Sequence, residues 1–289
     1  MDSKRKLISL VAGLVLIGGG FSEPALARGR GGARSAPAAG RAQPKSGTFQ
    51  RQGTATGSQG KTGTYQGQGS WQRGEGTYNR QYEGTRTGPN GNTQQVNRQQ
   101  NVTRTGENTY KREGSQSVTG ADGQTRTRSH SGEGSVQKTD DGYTRSYDGT
   151  VTNSKGQTVN VDREVDVSKN ADGTVTKERS TEVSSPEGTP LRSGESTTVI
   201  TPGQGSQTSG SHTNHVNGGT STYEGSSTRT EGGLDHQGSW TGPQGNTRTQ
   251  NARVRWQYVD GRWVRMVEGS NSHGGTVQST TTGSPNPQP

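Results

Sequence analysis

The chain has 289 residues, 48 of them glycine, with no cysteine and a net charge of +9. Of the 262 residues that follow Ala27, only 22 are Val, Leu, Ile or Phe, far below the roughly 20% under which chains are usually disordered. This composition excludes a large apolar core. The absence of cysteine also excludes disulfides and a lipid-modified N-terminal cysteine.

The first 27 residues have the pattern of a secretory signal peptide. Three cations at positions 4–6 precede an apolar run at 7–17, and Ala25 and Ala27 form a small-x-small site before Arg28. Eleven apolar residues are too few for a membrane helix, which needs about 20. We therefore expect cleavage after Ala27, export of the mature chain and no membrane span after cleavage.

Residues 28–75 are predicted to be a disordered basic tail. Positions 28–74 hold eight cations and no acid, whereas positions 75–289 hold 22 cations and 22 acids. An acid-free Arg/Gly segment attracts polyanions by counterion release. Nucleic acid is an unlikely partner for an exported protein. The candidate polyanion-binding residues are Arg28, Arg30, Arg34, Arg41, Lys45 and Arg51.

Residues 76–198 are predicted to be a β-repeat region. Glycine-centred turns recur about every 15 residues, and the heptapeptide Thr87–Thr93 returns as Thr241–Thr247 with six of seven residues identical. Asp-Gly turns tolerate positive φ in tight hairpins, which join antiparallel neighbours. The pattern favours an antiparallel β-meander, and a β-solenoid-like array or a largely disordered chain stays open as an alternative.

Period-two alternation is clearest over residues 158–167, where Val159, Val161, Val165 and Val167 share one face. Residues 199–236 are rich in Gly, Ser and Thr, and we expect weaker order there. This segment also contains a pair of histidines, at 212 and 215, that we interpret as solvated side chains. The sequence predicts neither a metal site nor a cofactor.

Residues 237–270 are predicted to contain an aromatic β-hairpin. If Asp260 and Gly261 form a two-residue turn, Tyr258 faces Trp263, and Trp256 faces the arginine at 265. We interpret this face as a small core, and a platform for sugar rings is the alternative for the three aromatic residues. Residues 271–289 are predicted to be a disordered tail without a barrel strand, which favours a soluble periplasmic or secreted protein.

The repeated heptapeptide and runs such as residues 142–145 resemble those of exported bacterial proteins rich in Thr, Gly and Asn, for which no activity is known. The resemblance covers residues 76–270. Since no catalytic signature occurs, the chain is not predicted to be an enzyme. We expect a structural or adhesive all-β protein of the bacterial envelope or extracellular matrix, capable of self-association. The alternative is a secreted module that binds polysaccharide or acidic polymer through the aromatic face and the basic tail.

Overall fold

The structure is a computed structural model that describes residues 46–260 and 262–283. All of the regular elements in this part of the chain are β-strands. The predicted all-β class and antiparallel meander are therefore confirmed. The sixteen strands are β1 (Ser46–Thr56), β2 (Thr62–Arg73), β3 (Thr77–Thr87), β4 (Thr93–Arg104), β5 (Thr109–Thr119), β6 (Thr125–Lys138), β7 (Gly142–Asn153), β8 (Thr158–Lys169), β9 (Val175–Ser184), β10 (Pro190–Thr201), β11 (Gly205–Asn214), β12 (Gly219–Thr230), β13 (Gly233–Thr241), β14 (Thr247–Val259), β15 (Arg262–Asn271) and β16 (Thr276–Gly283).

The strands close into a barrel. Each strand pairs antiparallel with the next along the chain, and β1 pairs with β16 to complete the ring. The closing register joins Gln52 to Thr280 and Thr54 to Gln278. The alternatives of a solenoid and of a largely disordered chain are therefore wrong, because a solenoid has no such closing antiparallel ladder.

The sequence repeat corresponds to one strand with its turn. At one end of the barrel, seven connections share the same pair of backbone hydrogen bonds, as in Gly88 N to Asn92 O (2.8 Å) and Gly91 N to Gly88 O (3.0 Å). Gly91 and its counterparts have positive φ. Thr87 and Thr93, which flank this turn, join their hydroxyl groups at 3.2 Å. The repeated heptapeptide is therefore a hairpin turn clamped by two threonines.

Strands also occupy segments for which we predicted little order. β1 and β2 lie within residues 28–75, β11 and β12 within 199–236, and β16 within 271–289. These segments are Gly, Ser, Thr and Gln rich, and their order comes from backbone ladders on both sides of each strand. The signal peptide, its cleavage site at Ala25, Ala27 and Arg28, and the tail cations from Arg28 to Lys45 lie outside the described residues.

Few apolar side chains are buried. In the described part of the chain, the buried apolar residues are Val161, Val175, Val254 and Val267. The predicted alternation in β8 is confirmed, because Val161 pairs with Gly149 and Val183 on the face that also carries Val159. This small set of valines cannot supply the apolar burial of an ordinary domain.

Aromatic rings that cover glycines add to this packing. Phe49 pairs with Gly69, and a Cβ placed on this glycine would overlap the phenylalanine ring. Tyr82 covers Gly84 in the same way, with its hydroxyl oxygen 2.6 Å from the position that a Cβ would take. A glycine beside a ring lets the ring lie flat along the sheet. These pairs therefore bury aromatic surface without a second packed layer.

Candidate functional site: the charged walls of the barrel

The register divides the strand residues into two faces of opposite charge, and it does so consistently around the whole ring. One face, called the cationic face, carries 19 of the 23 strand lysines and arginines and none of the 13 strand acids. Its cations are Arg51, Arg73, Arg80, Arg86, Arg98, Arg104, Arg112, Arg126, Arg128, Lys138, Arg145, Arg163, Lys169, Lys177, Arg179, Arg192, Arg229, Arg248 and Arg265.

The opposite face, called the acidic face, carries all of the strand acids. They are Glu83, Glu113, Glu133, Asp148, Asp162, Glu164, Asp166, Glu178, Glu182, Glu195, Glu224, Asp235 and Glu268. Three of its four cations form ion pairs: Lys111 with Glu113 at 2.8 Å, and both Arg253 and Arg255 with Asp235 at 3.3 and 2.9 Å. These three ion pairs therefore lie within the acidic face and do not join the two faces.

Burial identifies the cationic face as the inner wall of the barrel. Along β1, Gly47, Phe49 and Arg51 are half-buried, whereas the alternating residues of the acidic face are mostly exposed. β2 and β12 show the same alternation. Burial is also the main cause of the lowered pKa of Arg98 and of Arg163, both on the cationic face. Since side chains converge on the inside of a barrel and diverge outside, the cationic face lines the lumen.

Several inner-wall arginines lie against aromatic rings. Arg51 lies over Tyr65, with 5.1 Å between the guanidinium carbon and the ring centroid. Arg145 lies 4.8 Å from the ring centroid of Tyr110 and donates a 2.8 Å hydrogen bond from Nε to the tyrosine hydroxyl. Cation–π contacts of this kind favour a fixed position for the guanidinium. These cations therefore lie along the wall.

The outer wall is polar. Its ladders pair short hydrogen-bonding side chains, such as Thr48 with Ser70 and Gln50 with Gln68. A barrel that spans lipid presents an apolar band about 25 Å tall on this side. Such a band does not occur on the strands described here, whose outward residues are mainly Thr, Ser, Gln, Asn, Asp and Glu.

The three aromatic residues of the predicted platform lie together on the cationic face. Tyr258 pairs with Trp263, and their ring centroids are 5.2 Å apart in an edge-on contact. Trp256 pairs with Arg265, whose guanidinium lies 5.5 Å from the indole ring centroid. The predicted register of this hairpin is thus confirmed. Trp256 and Tyr258 are 47% and 62% exposed, so the cluster is more open than the predicted small core.

The remaining predicted candidates are separated from that cluster. Arg51, the one tail candidate among the described residues, lies in β1 on the inner wall. His212 lies in β11, and His215 joins its Nε2 to the hydroxyl of Ser193 at 2.9 Å. Over 46–260 and 262–283, no three metal-ligating side chains come together, and no helix in those ranges is long and apolar enough to cross a bilayer.

The segregation of charge was not recognised from the sequence. The signal is the parity of charged residues along each strand, as in the alternating triplet Asp162, Arg163 and Glu164. The ladders show that the alternation keeps the same phase from strand to strand.

Comparison with known proteins finds likenesses among solved structures at low sequence identity. No family model and no curated protein matches it. A triple mutant of the Rhodopseudomonas blastica porin is 8% identical, with 82% of this chain and 98% of that chain covered and a TM-score of 0.44. The Acinetobacter baumannii outer membrane protein Omp33 is 10% identical (84% and 100% covered, TM-score 0.40). Pseudomonas aeruginosa OccK8 is 8% identical (83% and 97% covered, TM-score 0.42). The resemblance to exported Thr/Gly/Asn-rich proteins stays a prediction.

The closed barrel corrects four of our expectations. We expected a structural or adhesive repeat protein, with a polysaccharide- or polyanion-binding secreted module as the alternative. Both are corrected, because the strands, including two within the predicted basic tail, form one closed ring. The soluble secreted or periplasmic localisation depended on the lack of a C-terminal barrel strand, which is wrong, because β16 is the strand that closes the barrel. The absence of a membrane span was argued from the length of an apolar helix alone, and it is corrected too, because the described part of the chain is built of strands that close into a barrel.

Proposed function

We propose that the barrel is a water-filled passage for small anions. The observation that carries the proposal is the inner wall, on which the strands present 19 lysines and arginines and no acid. In barrels of 16 strands, side chains no longer fill the interior and an aqueous channel remains. A wall of one charge concentrates the opposite ion inside such a channel.

The arginine–aromatic contacts support this role. Arg80 lies 5.0 Å from the ring centroid of Phe49, and Phe49 stacks on Tyr82 with ring centroids 6.2 Å apart. Cations that rest on the wall leave the middle of the lumen to water while keeping their charge beside it. The proposed role involves neither catalysis nor a cofactor. The proposed passage runs through the lumen, and it does not depend on what surrounds the polar outer wall.

Single cysteines can test the passage, because the natural chain has none. Thr181 lies on the inner wall opposite Arg163, and the adjacent Ser180 lies on the outer wall between Glu164 and Glu195. Each variant, Thr181→Cys or Ser180→Cys, is treated with a negatively charged and a positively charged methanethiosulfonate of similar size. We expect the anionic reagent to react roughly tenfold faster than the cationic one in Thr181→Cys, and the order to reverse in Ser180→Cys.

A maleimide on a 5-kDa polyethylene glycol provides the size control. It should modify Ser180→Cys readily and Thr181→Cys much more slowly, since the inner wall is reached only through the lumen. Equal modification of the two variants by this polymer would show that the cationic face is not enclosed. Faster reaction of Thr181→Cys with the cationic reagent would contradict an anion passage.

A further inference from the structure

We propose that a cluster on the inner wall of β5–β8 binds a tetrahedral oxyanion of the phosphate or sulfate class. The cluster, called the oxyanion cluster, consists of Arg112, His130, Tyr147 and Arg163. The inference deepens the proposed function, on which it rests, because it names the class of anion that the passage would take. The binding step itself can be measured without any passage.

A pair of glycines lies beneath Tyr147 of the oxyanion cluster. Gly132 of β6 pairs with Gly149 of β7, and Arg112 of β5 pairs with the first of these glycines from the other side. Tyr147 leans over the pair, with its hydroxyl oxygen 2.6 Å from the position that a Cβ on Gly132 would take. Arg163 lies directly opposite Tyr147 on β8. The tyrosine hydroxyl therefore lies over a patch of bare backbone, with Arg112 directly beside it on β5 and Arg163 diagonally across on β8, where Val161 is the residue opposite Gly149.

Two polar atoms of the oxyanion cluster lack a partner. Arg112 Nε and His130 Nε2 are both buried and form no hydrogen bond. Buried polar groups are almost always paired, so that an unpaired one requires an explanation. The Nε of a guanidinium can only donate a hydrogen bond, and an imidazole Nε2 donates in one tautomer. An anion with several acceptor oxygens would satisfy both atoms.

The charge around the oxyanion cluster is positive and uncompensated. Burial, followed by the charges of Arg179 and Arg112, lowers the pKa of Arg163. Burial and the neighbouring charges of Arg112, Arg128 and Arg163 likewise lower the pKa of His130. No strand acid shares this face. Guanidinium groups match the geometry of phosphate oxygens with two parallel hydrogen bonds, which favours an oxyanion over a spherical halide.

A second group of arginines on the inner wall shares part of this arrangement. Gly67 pairs with Gly84 beneath the ring of Tyr82, Arg51 pairs with Gly67, and Arg98 lies opposite Tyr82. Arg98 has Arg51, Arg80 and Arg86 as its positive neighbours. Two of those neighbours are already engaged, because Arg51 lies over Tyr65 and Arg80 over Phe49. None of these four arginines has a buried polar atom without a hydrogen bond, although the hydroxyl of Tyr65 beside Arg51 has no partner. The oxyanion cluster, in which two potential donor atoms lack a partner, is therefore the better site for a ligand.

Calorimetric titration of the folded protein with inorganic phosphate tests the site. The variants are Arg112→Gln and Arg163→Gln, and the control is Arg253→Gln, which removes an ion-paired arginine of the outer wall. We expect phosphate affinity to fall at least tenfold in both cluster variants and to stay unchanged in the control. Unchanged affinity in either cluster variant, with a far-ultraviolet circular dichroism spectrum like that of the natural protein, would overturn the proposal.

The histidine supplies a readout on the natural protein, which matters if an arginine variant does not fold. Phosphate bound beside His130 should raise the pKa of its imidazole, measured by nitrogen-15 NMR, because a negative charge favours the protonated ring. The imidazole of His236, in β13, should not change. If phosphate leaves the titration of His130 unaltered, the site is wrong. The cysteine experiments decide the passage separately, since phosphate binding does not depend on their outcome.

Discussion

Glycines under aromatic rings take over part of the role that apolar side chains have in other cores. A Cβ on Gly69 would overlap the ring of Phe49 and lie 2.6 Å from the carbonyl oxygen of Gln81. Since the backbone carbonyl cannot move away easily, we expect Gly69→Ala to lower the free energy of unfolding by about 1–3 kcal/mol. Urea denaturation followed by circular dichroism measures the change.

Gly194 is the matched control for this substitution. It lies in a strand on the same face, but a Cβ there would meet the carbonyl oxygen of Ser211 at 3.3 Å and the Nδ1 of His212 at 3.4 Å. We expect Gly194→Ala to be neutral or slightly stabilising, because alanine loses less backbone entropy on folding. Equal destabilisation by the two substitutions would show that the covering ring is not the reason for the glycine.

A half-buried histidine makes stability depend on pH. Both ring nitrogens of His236 are hydrogen-bonded, Nε2 to Tyr223 at 3.0 Å and Nδ1 to Ser227 at 2.9 Å, and burial lowers its pKa. The unfolded chain, with an imidazole pKa of about 6.5, therefore takes up this proton first as the pH falls. The stability that the neutral imidazole of His236 contributes is fully present above about pH 6.5, the pKa of the unfolded chain, and is lost as the pH falls toward the pKa of the folded state.

We therefore expect the free energy of unfolding, measured by urea denaturation between pH 8 and pH 5, to decline less steeply in His236→Gln than in the natural protein. His130 contributes in the same direction, because its pKa is also lowered, so some pH dependence should remain in the variant. The control is His273→Gln, which replaces a histidine in an exposed turn. A slope that is identical in all three proteins would contradict this account of His236.

The alternation of charge along a single strand can be recognised from the sequence, but the segregation of charge between the two walls of the barrel cannot. The alternation of Asp162, Arg163 and Glu164 shows that opposite charges point to opposite sides of one strand. Whether the next strand continues in the same phase depends on the length of the turn, since a slip of one residue exchanges the two faces. A sequence without a strong apolar face gives no other indication of register. The two charged walls, and with them the oxyanion cluster, therefore became visible only in the ladders.

The hairpins at one end of the barrel depend on a glycine in the left-handed region. Gly156 has a φ of 76°, and its amide donates to the carbonyl of Asn153 at 3.0 Å. A Cβ there has open space, so the cost of a substitution is conformational. We expect Gly156→Ala to cost about 1–2 kcal/mol and Gly156→Asn to cost less, because asparagine tolerates this conformation. Thermal unfolding of the two variants is the measurement, and a larger loss in Gly156→Asn would contradict the prediction.

The turns were the most predictable elements of the chain. Of the Asp-Gly turns, those at Gly123 and Gly173 have the positive φ expected of them, whereas Gly142 does not. The repeated heptapeptide forms the same turn both times. Strands such as β11 were not predicted with the same clarity, because GSQTSGSHTN has no alternation of apolar and polar residues. Such a segment becomes a strand because its backbone pairs with the strands on both sides. The local sequence pattern does not indicate this pairing.

Closure is the property of the whole barrel that the sequence did not indicate. β1 and β16 are far apart in the chain and lie in segments that we predicted to be disordered. Their ladder pairs residues such as Gln52 and Thr280, which show no mutual apolar signal. A ring removes the two free edges that an open sheet would present. The closed barrel thus follows from the number of hairpins and the accumulated curvature of the sheet, neither of which any single segment determines.

The seam between β1 and β16 can be tested directly because the natural chain has no cysteine. Gln52→Cys combined with Thr280→Cys places two thiols on paired residues of the outer wall, where strand neighbours lie close enough for a disulfide. We expect mild oxidation to give an intramolecular disulfide with altered mobility in a non-reducing gel. Closing so long a loop should raise stability by up to about 5 kcal/mol. The control, Gln52→Cys with Thr276→Cys, places the second thiol four residues along the strand, about 13 Å away, and should stay reduced. An open sheet would leave both variants reduced or linked between molecules.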